Sequence, residues 1–248
     1  ARHLAEQGAN VVLAARSGDA IGALADEITA AGGSARAVTC DVSKWLDVAA
    51  LVAATKESFG GIDVLVNNAG VIDPIARLDE SDPDGWSEVV DINLKGVYYG
   101  LRAVLPEMLT SGGGTIINIS SGAATSALEG WSHYCSTKAA VLSLTRCADK
   151  EYRDQGIRVI GLSPGSVATE MQVKIKASGV NPVSQLDPSV HIPAEWVARA
   201  IGFLCTEGGD AYRGTDFASC VVDRGSHPVL GLRSVRDDGE SRRGGTQP

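Results

Sequence analysis

Ala9-Asn10-Val11-Val12-Leu13-Ala14-Ala15 is a run of strand length in which apolar residues fall on both faces. That is the pattern of a parallel strand covered above and below, not of one with a solvated face. Arg16-Ser17-Gly18-Asp19 then makes a turn. Ile21, Leu24, Ala25 and Ile28 recur at helical spacing over residues 20–31 until Gly32-Gly33 stops the helix. Ahead of the run, residues 1–7 read as the tail of a helix ended by Gly8.

The same unit repeats. Residues 35–40 form a strand, Asp41-Val42-Ser43 a turn with Asp41 as an N-cap candidate, and 44–59 an amphipathic helix closed by Gly60-Gly61. A strand at 62–66 runs into Asn67-Asn68-Ala69-Gly70, and a long helix over 83–110 carries Asn93 inside it. Gly112-Gly113-Gly114 leads to a strand at 115–120, a helix at 131–155, and a strand at 157–163 ended by Pro164-Gly165. Strands alternating with helices over short loops predict one α/β domain with a parallel sheet and helices on both faces. Residues 168–192 break this rhythm and are expected to be a long loop serving as a substrate lid. A helix at 193–206, with Pro193 in its first turn, and a last strand at 215–222 complete a domain of residues 1–232. The Arg, Asp, Gly and Ser composition of 233–248 predicts a disordered tail.

Composition narrows the functional classes. The 248 residues are 44% apolar and 21% charged, with 29 glycines, which suits a large α/β core with many tight turns. A net charge of −8 without a basic stripe argues against nucleic acid as a partner. Cys40, Cys135, Cys147, Cys205 and Cys220 lack CxxC spacing, so neither a metal site nor a disulfide framework is expected, and their odd number suits a reducing compartment. With no signal peptide and no apolar run near 18 residues, a cytoplasmic protein without membrane contact is expected.

The chemistry concentrates between Ser121 and Lys138. Ser121-Gly122-Ala123-Ala124 follows a strand, and Tyr134-Cys135-Ser136-Thr137-Lys138 lies in the next helix. A spacing of four puts the phenol and the ammonium on one helix face, one turn apart. A free phenol titrates near pH 10, and an adjacent ammonium favours the phenolate. A serine hydroxyl on the facing element could hydrogen-bond the same carbonyl or alcohol oxygen. Taken alone, Tyr134 and Lys138 are either a proton-transfer pair or ordinary surface decoration.

With Asn67-Asn68-Ala69-Gly70 after a buried strand, Asn93 in the next helix, Ser121 after the following strand and Tyr134-x-x-x-Lys138 beyond it, the sequence resembles a classical short-chain dehydrogenase/reductase. Its general look is that of the 3-oxoacyl-carrier-protein reductases. The resemblance implies a Rossmann-like doubly wound parallel sheet with a nicotinamide dinucleotide lying across the carboxyl ends of the strands. It implies Tyr134 as general acid/base, with Lys138 lowering its pKa and bonding the nicotinamide ribose. Ser121 would position the carbonyl, and Asn93 would hold a water linking Lys138 to solvent. Asp41 and Val42 would contact the adenine, Asn67, Ala69 and Gly70 the adenosine side, and Pro164, Gly165, Val167 and Thr169 the nicotinamide amide. Local explanations coexist: a helix cap for Asp41, turns for Gly70 and Gly165, a strand end for Pro164. Arg16 stands where an acidic residue would accept from a ribose 2′-hydroxyl, and an arginine there pairs instead with a 2′-phosphate. NADP(H) is therefore expected over NAD(H).

The implied function is an NADP(H)-dependent oxidoreductase that interconverts a carbonyl and a secondary alcohol of a small-molecule substrate. The family pattern also has an opening strand and a TGxxxGxG turn, which this sequence lacks. In the order 3-2-1-4-5-6 that strand lies between those at 9–15 and 62–66. Each buried backbone group left unpaired would cost about 1 to 3 kcal/mol, so an N-terminally truncated piece of a fuller domain is expected. An impaired fragment, a dinucleotide-sensing scaffold, and an isomerase or dehydratase using the same Tyr134 and Lys138 stand as alternatives. The resemblance implies a homo-oligomer, dimer or tetramer, joined through the helices at 83–110 and 131–155. There Gly96, Gly100, Ala139 and Ala140 would admit either a partner or the chain's own sheet.

Overall fold

A computed structural model describes residues 1–218 of the chain and the backbone of residues 233–234. Its elements run α1 (Arg2–Glu6), β1 (Asn10–Ala15), α2 (Gly18–Ala30), β2 (Ser34–Thr39), α3 (Trp45–Phe59) and β3 (Val64–Asn67). There follow α4 (Pro83–Val90), α5 (Gly96–Ser111), β4 (Gly114–Ile119), α6 (Ser132–Tyr152), β5 (Ile157–Ser163), α7 (Glu170–Ser178), α8 (Ala194–Leu204), β6 (Asp216–Ala218) and β7 (Arg233–Ser234). The expected alternation is present, with boundaries shifted by a residue or two.

The strands form two sheets. β1 and β2 pair in parallel by themselves, while β3, β4, β5, β6 and β7 pair in that order, parallel except for the antiparallel β7. No ladder joins β1 to β3. The arrangement is the expected Rossmann-like α/β fold. α5 and α6 cover one face of the larger sheet, where Val97, Leu101, Val104, Met108 and Val141 meet Ile116 and Val159. α8 covers the other face, its Ala200 and Leu204 lying over Ile117, Ile160, Leu162 and Phe217. Burying one such aliphatic side chain contributes about 1.5 to 3 kcal/mol, so this double-sided core dominates the stability. Ala5, Leu13, Ala25 and Ile28 form a smaller core where α1 and α2 meet β1 and β2.

Four expectations are refined. The long helix at 83–110 is α4 and α5 joined by a π turn at Asp91–Lys95, in which the Gly96 N–H reaches back five residues to the Asp91 carbonyl. Such turns gather at functional sites, and this one contains Asn93. Asp41 does not cap α3, whose N-cap is Lys44. Its carboxylate instead accepts from the Ser43 backbone at 3.1 Å and the Ser43 hydroxyl at 2.7 Å, closing a turn of its own. Residues 168–192 are not an irregular loop, for they hold α7 and two 3₁₀ turns, Pro182–Gln185 and Pro188–Val190. Only Ile175 of α7 is fully buried, too few apolar positions to set a readable period. Of the strand at 215–222 the described part is β6, and residues 219–222 with Cys220 lie outside the described residues. Of the tail expected at 233–248, Arg233–Ser234 pairs along β6 and the rest is likewise outside them. No helix among the described residues is long and apolar enough to cross a membrane.

Candidate active site

The carboxyl ends of β3, β4 and β5 converge on the start of α6. Ser121 leaves β4 in extended conformation and caps a 3₁₀ turn, Gly122–Ala124, its Oγ accepting from the Ala123 N–H at 3.2 Å. The Ser121 hydroxyl also favours the ionised form of the Tyr134 phenol. Tyr134 is buried among Ile72, Ala123, Trp131 and Ile175, with the Trp131 ring edge-on at 5.6 Å between centroids. Burial holds its pKa above the usual 10, and Ser121 opposes that by favouring the phenolate. The lowering expected from Lys138 does not prevail. In this arrangement the ammonium lies 5.6 Å from the ring centroid and is committed to the Ile119 carbonyl at 2.6 Å. Lys138 is itself buried, which brings its pKa down to about 8 against the pull of Asp216. A group titrating there changes charge close to neutral pH.

Asn93 comes from the π turn and is fully buried. Its amide clamps one backbone unit from both sides, Nδ2 donating to the Val71 carbonyl and Oδ1 accepting from the Val71 N–H, each at 2.8 Å. One donor and one acceptor site of the amide are thus taken by Val71, and a second of each is left. Gly70 adjoins both this amide and the Lys138 ammonium. A Cβ there would stand 3.6 Å from Asn93 Oδ1 and 3.9 Å from Lys138 Nζ, so the glycine keeps the surroundings of the ammonium open.

The expected dinucleotide contacts divide. Arg16 follows β1 with its side chain 62% exposed and makes a loose 3.9 Å ion pair with Glu88. Asp41 sits at the end of β2, and Val42 packs on α5, where a Cβ at Gly96 would come within 3.0 Å of it. Ala69 is exposed beside Gly70. Asn67, however, turns inward: its Nδ2 donates to Asn118 Oδ1 at 2.8 Å, and Asn118 Nδ2 donates to Thr145 at 2.9 Å. A side chain at Gly100 would strike the Asn67 amide. Gly96 and Gly100 therefore admit the chain's own loops and sheet. Pro164, Gly165, Val167 and Thr169 form one segment after β5, held where Val167 bridges Ile192 and Ala168 N–H donates to the Ile192 carbonyl at 3.0 Å. Gly165 adopts φ +79°, open to glycine at little cost, and Thr169 stands at the N-cap position of α7 without a capping side-chain bond.

Sequence reasoning passed over Asn118, Thr145 and Asp216, polar groups that lie inside the site's support. The available signal was a polar residue in a strand that is otherwise apolar, Asn118 in Thr-Ile-Ile-Asn-Ile and Asp216 before Phe217. α7 was also unforeseen as a neighbour, yet Ile175 and Met171 join the Tyr134 cluster and Lys174 pairs with Asp73 at 2.5 Å.

The comparisons agree with this geometry. The family model for short chain dehydrogenases matches residues 1–179. A cyclohexanol dehydrogenase of an Acinetobacter species is 31% identical over 89% of this chain and 86% of its own length. A 3-oxoacyl-[acyl-carrier-protein] reductase of Synechocystis is 37% identical over 84% of each. Among solved structures, a gluconate 5-dehydrogenase from Burkholderia cenocepacia in complex with NADP and tartrate superposes with a TM-score of 0.80 at 31% identity, covering 88% of this chain and 86% of that one. The chain thus belongs to the short-chain dehydrogenase/reductase family, whose members act as oxidoreductases on alcohols and carbonyls.

Proposed function

We propose that this protein interconverts a carbonyl and a secondary alcohol with NADP(H), Tyr134 serving as the general acid/base. The observation that carries the reading is the buried Tyr134 phenol with the Lys138 ammonium one turn along α6 and 5.6 Å from its ring, Ser121 favouring the phenolate. In the reducing direction Tyr134 gives its proton to the substrate oxygen, Ser121 holds that oxygen in place, and Lys138 stabilises the phenolate left behind. In the oxidising direction the same groups work in reverse. A nicotinamide dinucleotide, when bound, supplies or accepts the hydride. Lys138 would meet its ribose in the space Gly70 leaves, and the segment Pro164 to Thr169 would meet its amide.

Preference for NADP(H) rests on Arg16, an exposed guanidinium whose loose pairing with Glu88 offers little resistance to a phosphate. The NADP in the gluconate 5-dehydrogenase structure is consistent with it. α7 with residues 168–192 acts as the lid, since it already packs on Tyr134. The outward faces of the π turn, α5 and α6, where Leu94, Tyr98, Ala140, Leu144 and Cys147 make an apolar surface, join two copies into a homo-oligomer. Four free thiols among the described residues suit the reducing cytoplasm. The relatives' names span a cyclic alcohol, an acyl-carrier thioester and a sugar acid, so the substrate is best sought with a panel of ketones.

The test follows NADPH absorbance and product together. One NADPH consumed per carbonyl reduced is the expected result. NADPH binding without turnover on any ketone would favour the sensing scaffold, and product formation without net cofactor change would favour the isomerase or dehydratase.

A further inference from the structure

β6 brings a carboxylate beneath the helix that carries Tyr134 and Lys138. Asp216 stands in register with Gly161 of β5 and leans over it. Its Oδ2 accepts from Ser163 Oγ at 2.7 Å and from Ser120 Oγ at 3.1 Å. A Cβ at Gly161 would lie 3.1 Å from Oδ1, so glycine makes the room. Oδ1 itself is buried with no hydrogen-bond partner among the described residues. Burying a carboxylate is unfavourable unless a counter-charge and hydrogen bonds offset it, and here Ser120 just after β4 and Ser163 at the end of β5 meet Asp216 at the start of β6.

The counter-charge is identifiable. Burial pushes the Asp216 pKa up, and the Ser163 and Ser120 hydroxyls, then Arg146 and Lys138 of α6, hold it down, Arg146 from an exposed position. The Tyr134 ring, which lies 5.6 Å from the Lys138 ammonium, carries no charge at neutral pH. Ser120, which bonds Asp216, directly follows Ile119, whose carbonyl receives the Lys138 ammonium.

We propose that Asp216 is a positioning residue that, through Ser120, fixes the carbonyl on which the Lys138 ammonium rests and whose half-buried charge helps keep that ammonium protonated. This rests on reading Lys138 as the partner of Tyr134. Burial pulls the Lys138 pKa down to about 8 and Asp216 is the group that resists. Without that anion the ammonium, and with it the support for the phenolate, would be lost nearer neutrality.

The test is Asp216→Asn, which keeps the size of the side chain and removes its charge. Lysine Cε resonances are followed by NMR against pH in the protein alone, with Lys138→Met assigning the signal. The Lys138 midpoint near 8 is expected to fall by about one pH unit. In turnover, the limb of the kcat/KM profile that reports Lys138 should move by the same amount, whereas a merely structural residue would lower the rate evenly at every pH. Should Asp216→Asn not fold, Asp216→Ser removes the charge with a smaller side chain and is read the same way. An unmoved Lys138 midpoint in the folded variant overturns the proposal. Absence of any turnover in the unsubstituted protein would overturn the redox reading and leave the titration result standing.

Discussion

β1 and β5 are both apolar runs of strand length, yet they end in different surroundings. All but one residue of β5 is buried, and Ile157, Val159, Ile160 and Leu162 have no exposure at all; in β1 only Leu13 is buried. β5 has a ladder on each side and helices above and below, while β1 is paired with β2 and makes no ladder with β3. The proposed chemistry divides along the same line. Tyr134, Lys138, Asn93 and Asp216 are buried or nearly so on the larger sheet, whereas Arg16 beside the smaller sheet is open to solvent. Proton handling at oxygen needs groups whose pKa values are held by a dry, fixed environment. Recognition of a charged phosphate needs only a cation within reach.

The strongest way to break this division is Tyr134→Phe. If the larger sheet holds the proton chemistry, turnover should fall by about 10² to 10⁴ while NADPH binding by fluorescence is retained, and unchanged turnover would end the proposed mechanism. Lys138 provides a measure independent of substrate. Its folded pKa lies below the unfolded value, so its burial penalty is complete below pH 8 and disappears as pH rises toward 10.5. Compared with Lys138→Met in denaturant titrations, the unsubstituted protein should therefore gain about 3 kcal/mol between pH 8 and 10.5.

On the smaller sheet, Arg16→Glu should weaken NADPH by about tenfold to a hundredfold in KM and leave NADH little changed, with kcat nearly constant. Equal losses for both cofactors would remove Arg16 from the adenosine site. The smallest effects come from two glycines. Gly100→Ala drives a methyl group into the Asn67 amide and should destabilise by about 1 to 3 kcal/mol. Gly22→Ala, inside α2 with nothing within 4 Å of the new Cβ, should stabilise by about 0.5 to 1 kcal/mol in thermal or urea unfolding. Opposite signs would show that the two sheets differ in packing and not only in accessibility.

Much of the fold was legible because its signals are local. Apolar runs at 9–15, 62–66, 115–120 and 157–163 are all strands, and Gly8, Gly60, Gly112 and Gly156, each with positive φ, stand where segments turn or end. α7 was illegible because one buried Ile175 gives no period. The inward turn of Asn67 was illegible because the residue that decides it, Asn118, is 51 positions away.

By itself, the sequence determined the order of strands and helices, the family, and the presence of Ser121, Tyr134 and Lys138 on elements that end at one edge of a parallel sheet. Periodicity, turn glycines and spacing within a helix are short-range quantities, so a linear chain records them. Tertiary structure alone decided that Asn93 clamps Val71 from a π turn, that burial raises the Tyr134 pKa against Ser121, and that Asp216 reaches the same cluster from the far strand. These depend on how much water is excluded and on which charges meet across elements, and both follow from packing between segments distant in sequence.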